Sequence, residues 1–381
     1  MEFGIFIQGY NPKFRRGGDP VEAEHKVFMD ELAAVEAADR AGFKYVWLTE
    51  HHFLDEYSHL SANDVVAGWL AHATERIHIG SGIFNPLPQV NHPAKVAERV
   101  AMLDHLTRGR FEFGTGRGAG SHEILAFLPG MSDLSNTREI WEDVIAEFPK
   151  MWMQEDYEGY NGKFWSLPPR KVLPKPYKKP HPAMWYAAGN ASSWEMAAHK
   201  GLGILGFSVQ SLDDLSKVIV TYKDAIKSAE PIGEFVNDNV MITTSAYVAE
   251  EAEEAVRSHL RSRPHYLVSN VFRYHDTFPH PEGIPVWPET IPELTLEVLR
   301  EMVKQEASLI GTPDQAFKAC QQWSDAGADQ LVLGIGPAPL EDTLETIRLF
   351  GEHIIPKLDT DPIHSTTRYR DAAAGIEPAS R

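Results

Sequence analysis

A carboxylate and two imidazoles stand together at Glu50-His51-His52, followed by Phe53, directly after the β-rich run Tyr45-Val46-Trp47-Leu48. An imidazole titrates near neutral pH, so a histidine held at a strand end can act as a general base. Side chains at successive strand-end positions point alternately, so at most one of His51 and His52 faces a cavity there. Two other readings stay open: a buried pair that ties loops together, and a zinc site. The zinc reading is the weakest, because adjacent ligands from one strand end come with no cysteine partner and no helical His-x-x-x-His spacing.

Three further segments have the composition of a cofactor site. Gly114-Thr115-Gly116-Arg117-Gly118-Ala119-Gly120 sets one arginine among glycines. Glycine lets the backbone approach a ligand, and a guanidinium offers phosphate a fixed fork of donors. The segment is neither a Walker loop, which needs Gly-Lys-Ser/Thr, nor a dinucleotide fingerprint; a plain tight turn has the same composition. In Gly189-Asn190-Ala191-Ser192-Ser193-Trp194-Glu195, small polar residues open a helix. Unsatisfied amides, the helix dipole and the Ser193 hydroxyl make an anion site there, and N-capping by Asn190 or Ser192 accounts for the same residues. Gly80-Ser81-Gly82-Ile83-Phe84-Asn85-Pro86 is either a flat wall for an aromatic cofactor or a bulge.

To bring these segments together the chain must supply a scaffold with strand ends at one mouth. Short β-rich runs alternate with segments of helical period, the pattern of parallel strands with crossover helices. Strands are expected over residues 3–7, 45–48, 77–81, 111–114, 184–187, 204–207, 241–248 and 330–333. Helices are expected over 21–41, 62–72, 92–106, 139–153, 192–200, 212–228, 250–260 and 313–326. Eight such units fit a closed α/β (β/α)8 TIM barrel, whose loops at the C-terminal ends of the strands converge on one cavity.

Two insertions interrupt the repeat, after strand 4 (about 155–182, rich in Pro, Lys and Tyr) and after strand 7 (about 262–293). The second carries His265, Tyr266, Phe272, Tyr274, His275, Phe278, His280 and Trp287, too many aromatics for a disordered linker. It is either a mobile lid over the mouth or a dimer-forming element. Residues 1–358 then make a single domain, and 359–381, with no apolar period, an arm or frayed end.

Composition narrows the function classes. A formal charge of -18 argues against nucleic acid and anionic membranes as partners, though a local basic pocket for one phosphate is compatible with it. The single cysteine, Cys320, excludes an intrachain disulfide and multi-thiolate metal sites. No export signal or stretch of about eighteen apolar residues is visible, so a cytoplasmic location is expected.

Several of these residues carry a family resemblance: Phe3-Gly4-Ile5-Phe6, Val46-Trp47-Leu48-Thr49-Glu50-His51-His52-Phe53, His92-Pro93-Ala94, the run from Leu103 through Arg110 to Gly118, and Ile310-Gly311-Thr312-Pro313. In order, and over nearly the whole chain, they resemble the bacterial luciferase family. That resemblance implies a barrel in which reduced FMN and molecular oxygen oxidise an organic substrate. His51 matches the catalytic base of the luciferase α subunit, with Glu50 beside it as the second catalytic candidate. Arg117, next to Gly116, matches the arginine that holds the FMN phosphate, and Asn190, Ala191, Ser192 and Ser193 match the turn that completes the phosphate site. Gly82-Ile83 falls near a non-prolyl cis peptide beside the flavin ring. Gly116 stands where the light-emitting subunit has a reactive cysteine, residues 85–91 form a loop about two residues longer, and Gly189 replaces an acidic residue. Light emission and a long-chain aldehyde substrate are therefore not implied.

The expected function is a flavin-dependent monooxygenase acting on a small apolar or aromatic molecule, with a separate NAD(P)H-dependent flavin reductase supplying reduced FMN, since no nicotinamide fingerprint is visible. A homodimer or larger homo-oligomer is expected. One alternative is hydride transfer with a deazaflavin coenzyme. Another is a non-catalytic partner like the luciferase β subunit, which is expected to lack the first histidine and the strand-four arginine that this chain retains.

Overall fold

The computed structural model describes residues 1–208, 211–276, 283, 285–304, 308–334 and 337–376. Eight parallel strands close into a barrel: β1 Glu2–Ile7, β2 Tyr45–Leu48, β3 His78–Ser81, β4 Phe111–Thr115, β5 Met184–Ala187, β6 Gly203–Phe207, β7 Val240–Thr244 and β8 Gln330–Gly334. Neighbours in the barrel are neighbours in sequence, and closure is made by β1, which pairs with β2 (Ile5 opposite Val46) and with β8 (Ile5 opposite Leu333). The fold class read from the sequence is therefore the observed one.

Two apolar layers hold it. Inside the barrel, Phe6, Tyr45, Trp47, Trp185, Leu205, Met241 and Val332 fill the lumen, with Trp47 and Trp185 edge to face at 5.1 Å. Side chains of this size leave a packed core, not a pore, as expected for eight strands. Outside it, the strands bury a larger aliphatic and aromatic surface against the helices. The first helix, Pro20–Ala41, shows the local logic: Asp19 caps its amino end and Gly42, at φ 96°, its carboxyl end.

Where the observed elements differ from the expected ones, single residues explain it. The helix expected over 139–153 is two helices, Asn136–Ile145 and Glu147–Met153. Pro149 has no amide to donate to the Ile145 carbonyl, so the helix stops and restarts with the proline in a first turn. The strand expected over 241–248 leaves the barrel at the exposed Ser245, and Ala246–Val248 instead pairs in parallel with Leu309–Gly311. The insertion after β4 carries a small hairpin, Tyr160–Asn161 with Ser166–Leu167, fastened to the barrel helices by Tyr157 to Glu147 and Tyr160 to Asp143. In the insertion after β7, Pro264–Tyr274 is a helix. Phe278 and His280 lie outside the described residues.

The segment after Leu358, expected as an arm or frayed end, instead folds back as the helix Ser365–Ala373 across the amino-terminal ends of the strands. It buries polar groups, which is why no apolar period announces it. Arg370 makes a two-pronged ion pair with Asp104 at 2.9 and 2.8 Å. Ser365 donates to Glu2, Thr366 to Glu112 at 2.6 Å, and His364 stacks on His78 at 3.7 Å. Burial pushes the Glu112 carboxyl up to about 8 and holds His78 well below the usual imidazole range. Among the described residues no helix is long and apolar enough to cross a membrane.

Candidate functional site

With its amino-terminal end covered, the barrel presents its chemistry at the other end. The two histidines after β2 diverge there, as alternation requires. His51 Nδ1 lies 3.0 Å from Glu123 Oε2, with both side chains largely buried. Its ring also faces Tyr57 and His275, each 5.5 Å away by ring centres. Burial, with a smaller contribution from the charge of His51, pushes His275 down to about 3, so it stands as a neutral neighbour. His52 turns the other way, with Nε2 3.3 Å from Glu50 Oε1 and the ring edge-on to Phe127. The hydrogen bond to Glu50 raises the pKa of His52.

Glu50 is thus the partner of His52, not of His51. With Asp64, Asn91 and Arg99 the Glu50–His52 pair lines a small cavity of about 140 Å³. The carboxylate that holds His51 is Glu123, which the sequence reading missed. It sits on the short helix Ser121–Phe127 that follows the glycine turn after β4. The available signal was that this is the first carboxylate past the turn.

The other candidate residues gather across the mouth. The Gly82–Ile83 peptide is cis, and Asn63 Nδ2 donates to the carbonyls of Leu48 and Ile83 on either side of it. Ile83 and Ala187 lie partly exposed on top of the lumen core. Phe207, at the end of β6, is 45% exposed and edge-on to Phe6. Together they form an apolar floor. Gly116 passes so close to it that a Cβ would fall 2.8 Å from Ile83 Cδ1, so a larger residue there would push the end of the Ile83 side chain aside.

Beyond the floor, half-buried Arg117 donates to Thr137 Oγ1 at 2.8 Å. Its charge and hydrogen bond also act on Tyr186 of β5, partly offsetting the burial that raises that hydroxyl's pKa. On the same side Asn190 caps the helix Ala191–His199 by accepting from the Ser193 amide at 3.0 Å, and Ser192 Oγ donates to Asn190 at 2.8 Å. The capping reading therefore holds for Asn190. The Ser193 amide is used by the cap and its side chain is buried, whereas Ala191 and Ser192 are exposed at the helix start. Because β4 and β5 are paired, Thr115 opposite Tyr186, the arginine turn and this helix start are neighbours on one rim.

The residues present have the chemistry to hold a flavin phosphate and ring: a guanidinium and the open amino end of a helix for an anion, and beside them an apolar floor for a flat ring. An imidazole with a buried carboxylate partner stands at the end of the next strand but one.

Known proteins share this arrangement of the chain. Over 257 residues, 67% of each chain, it is 27% identical to the oxygenase component of the flavin-dependent trigonelline monooxygenase of Acinetobacter baylyi. Over 371 residues, 94% of this chain and 98% of the relative, it is 25% identical to the alkanal monooxygenase alpha chain of the Kryptophanaron alfredi symbiont. Among solved structures, the oxygenating constituent of 3,6-diketocamphane monooxygenase from Pseudomonas putida, a type II Baeyer-Villiger monooxygenase in complex with FMN, superposes with a TM-score of 0.72 at 18% identity, covering 94% of this chain and 98% of that one. A family model described as luciferase-like monooxygenase matches residues 1–330, from the first strand to the start of the last; the chain belongs to the luciferase-like monooxygenase family.

Proposed function

We propose that the protein is the oxygenase of a two-component system, binding reduced FMN at the C-terminal mouth of the barrel and using molecular oxygen to oxidise a small apolar or aromatic organic substrate. The observation that carries this reading is the rim itself: an anion-binding side at Arg117 and the Ala191–His199 helix start, an apolar floor at Ile83, Ala187 and Phe207, and His51 held by Glu123. When bound, reduced FMN supplies the electrons with which oxygen is activated.

The chain's own residues do the rest. Arg117 and the amides of Ala191 and Ser192 hold the phosphate, where a helix dipole favours negative charge. Ile83 and Gly116 set the plane on which a ring lies. His51 accepts or orients a proton of the substrate, and the neutral His275 and Tyr57 keep water from that position. A separate NAD(P)H-dependent reductase delivers the reduced flavin in the same cytoplasmic compartment, and the oxygenase works as a homodimer or larger homo-oligomer.

Anaerobic titration of the purified protein with reduced FMN and with reduced deazaflavin F420 tests the cofactor. Reduced FMN binds more tightly, and Arg117→Ala weakens it about tenfold or more, as expected for losing a charge-assisted donor. Preference for F420 would transfer the protein to the hydride-transfer class, and equal FMN affinity in the variant would remove Arg117 from the site. Incubation with reduced FMN, oxygen and a panel of ketones, aldehydes, terpenoids and heteroaromatics then identifies the substrate class by a product gaining one oxygen atom.

A further inference from the structure

His51 is not held by its own loop. Its carboxylate partner, Glu123, belongs to the helix Ser121–Phe127, and that helix is fixed in turn by the carboxyl end of Pro264–Tyr274. Asp276 Oδ1 accepts from the Ser121 amide at 2.8 Å and Asp276 Oδ2 from the Ser121 hydroxyl, so Asp276 caps the Glu123 helix from another segment. A Cβ on Gly120 would lie 1.8 Å from the Tyr274 carbonyl oxygen. No other residue type lets the two helices meet so closely. The Tyr274 hydroxyl accepts from the Asp55 amide at 3.0 Å, which joins the same helix end to the loop that follows His51 and His52. His275, the next residue, packs against both His51 and Tyr57.

We infer that Glu123 is a positioning residue that fixes the tautomer of His51, and that the end of the helix Pro264–Tyr274 sets Glu123 through the Asp276–Ser121 clasp. A carboxylate 3.0 Å from Nδ1 accepts the proton carried there and leaves Nε2 as the nitrogen able to take one. Both side chains are largely buried, so water does not compete strongly for either partner. The insertion after β7 therefore acts on the chemistry: the base has its working tautomer only while that helix is docked. The catalytic meaning of this device rests on the role proposed for His51, but the tautomer itself does not.

The test reads the tautomer directly. Long-range proton–nitrogen NMR on histidine-labelled full-length protein, with the His51 signals assigned from their loss in His51→Gln, distinguishes a proton on Nδ1 from one on Nε2 and needs neither flavin nor substrate. In the unaltered protein the Nδ1–H form is in about tenfold or greater excess, the bias expected of one charge-assisted hydrogen bond. Glu123→Ala abolishes that excess. Asp276→Ala, a change at an exposed residue, reduces it at least about threefold with little change in thermal stability. Should Glu123→Ala fail to fold, the unaltered protein and Asp276→Ala still decide the matter. An Nε2–H form in the unaltered protein, or a tautomer unmoved by Asp276→Ala, would overturn the inference. Failure to bind reduced FMN would instead reject the proposed function and leave the tautomer result standing.

Discussion

Replacing Arg370 by Met should destabilise the whole barrel although it lies near the end of the chain. Arg370 and Asp104 are 4% and 0% exposed in their side chains, and the carboxylate otherwise receives the Lys178 amide at 3.1 Å. Removing the guanidinium strands a buried negative charge, a loss of about 3–5 kcal/mol. At roughly 2.1 cal/mol/K of unfolding entropy per residue, the 381 residues give about 0.8 kcal/mol/K, so the midpoint falls by about 4–6 °C. Differential scanning calorimetry measures this directly, and the double variant Arg370→Met with Asp104→Asn separates its causes. If the stranded charge is the cost, the double variant recovers most of the loss; if lost packing of the terminal helix is the cost, it recovers little. A single variant melting within about 1 °C of the unaltered protein would refute the reasoning.

Further predictions concern the mouth and the buried histidines. His51→Ala retains FMN affinity while turnover falls about 100-fold or more, as for loss of a general base; unchanged turnover in steady-state assays would reject that role. His181, His259 and His275 are driven by burial down to about 4, about 4 and about 3. A histidine kept neutral in the fold stabilises it fully above the unfolded value of 6.5 and loses that stabilisation as pH falls toward its folded value. Stability measured by urea titration should therefore drop between about pH 6.5 and 4, and His181→Gln should reduce the slope by up to about 1.4 kcal/mol per pH unit. A profile that is flat over that window, or unchanged in the variant, would show that His181 is not held neutral.

Much of the barrel is legible because its signal is local. Tyr45–Leu48 and Met184–Ala187 begin and end where the sequence places them, since continuous apolar runs bounded by polar turns allow few registers. The terminal helix is illegible for the converse reason. Its stabilising partners, Asp104, Glu112, Glu2 and His78, are polar and distant in sequence, so no periodicity in 365–373 reports them. The site divides in the same way. His51, Arg117 and the Asn190 turn stand out by residue type beside a strand end. Glu123 does not, because an acidic residue on a surface-like helix has the composition of a solvated face. Only the closing of β3 between β2 and β4 shows that it reaches His51. Glu50 misled for a related reason: adjacency in sequence to His51 is not adjacency in space, because alternation sends their side chains apart.

The two ends of the barrel divide the work of folding and of chemistry. At the amino-terminal end, Glu2, Lys44, His78, Asp104, Glu112 and Arg370 are buried, so changing one partner there leaves another without its complement. At the carboxyl-terminal end Ala191 and Ser192 are exposed and Arg117 is half-buried. Substitution at these three positions carries less desolvation cost than at the buried amino-terminal end. The aromatic lumen joins the two ends. Trp185 donates to Glu112 at 2.8 Å from the middle of the barrel, and Ile83 and Ala187 rest on the same cluster above it. The floor proposed for the flavin ring is thus the upper surface of a core whose lower surface is made of the buried polar groups at the amino-terminal end, which gives a flat ligand a rigid support.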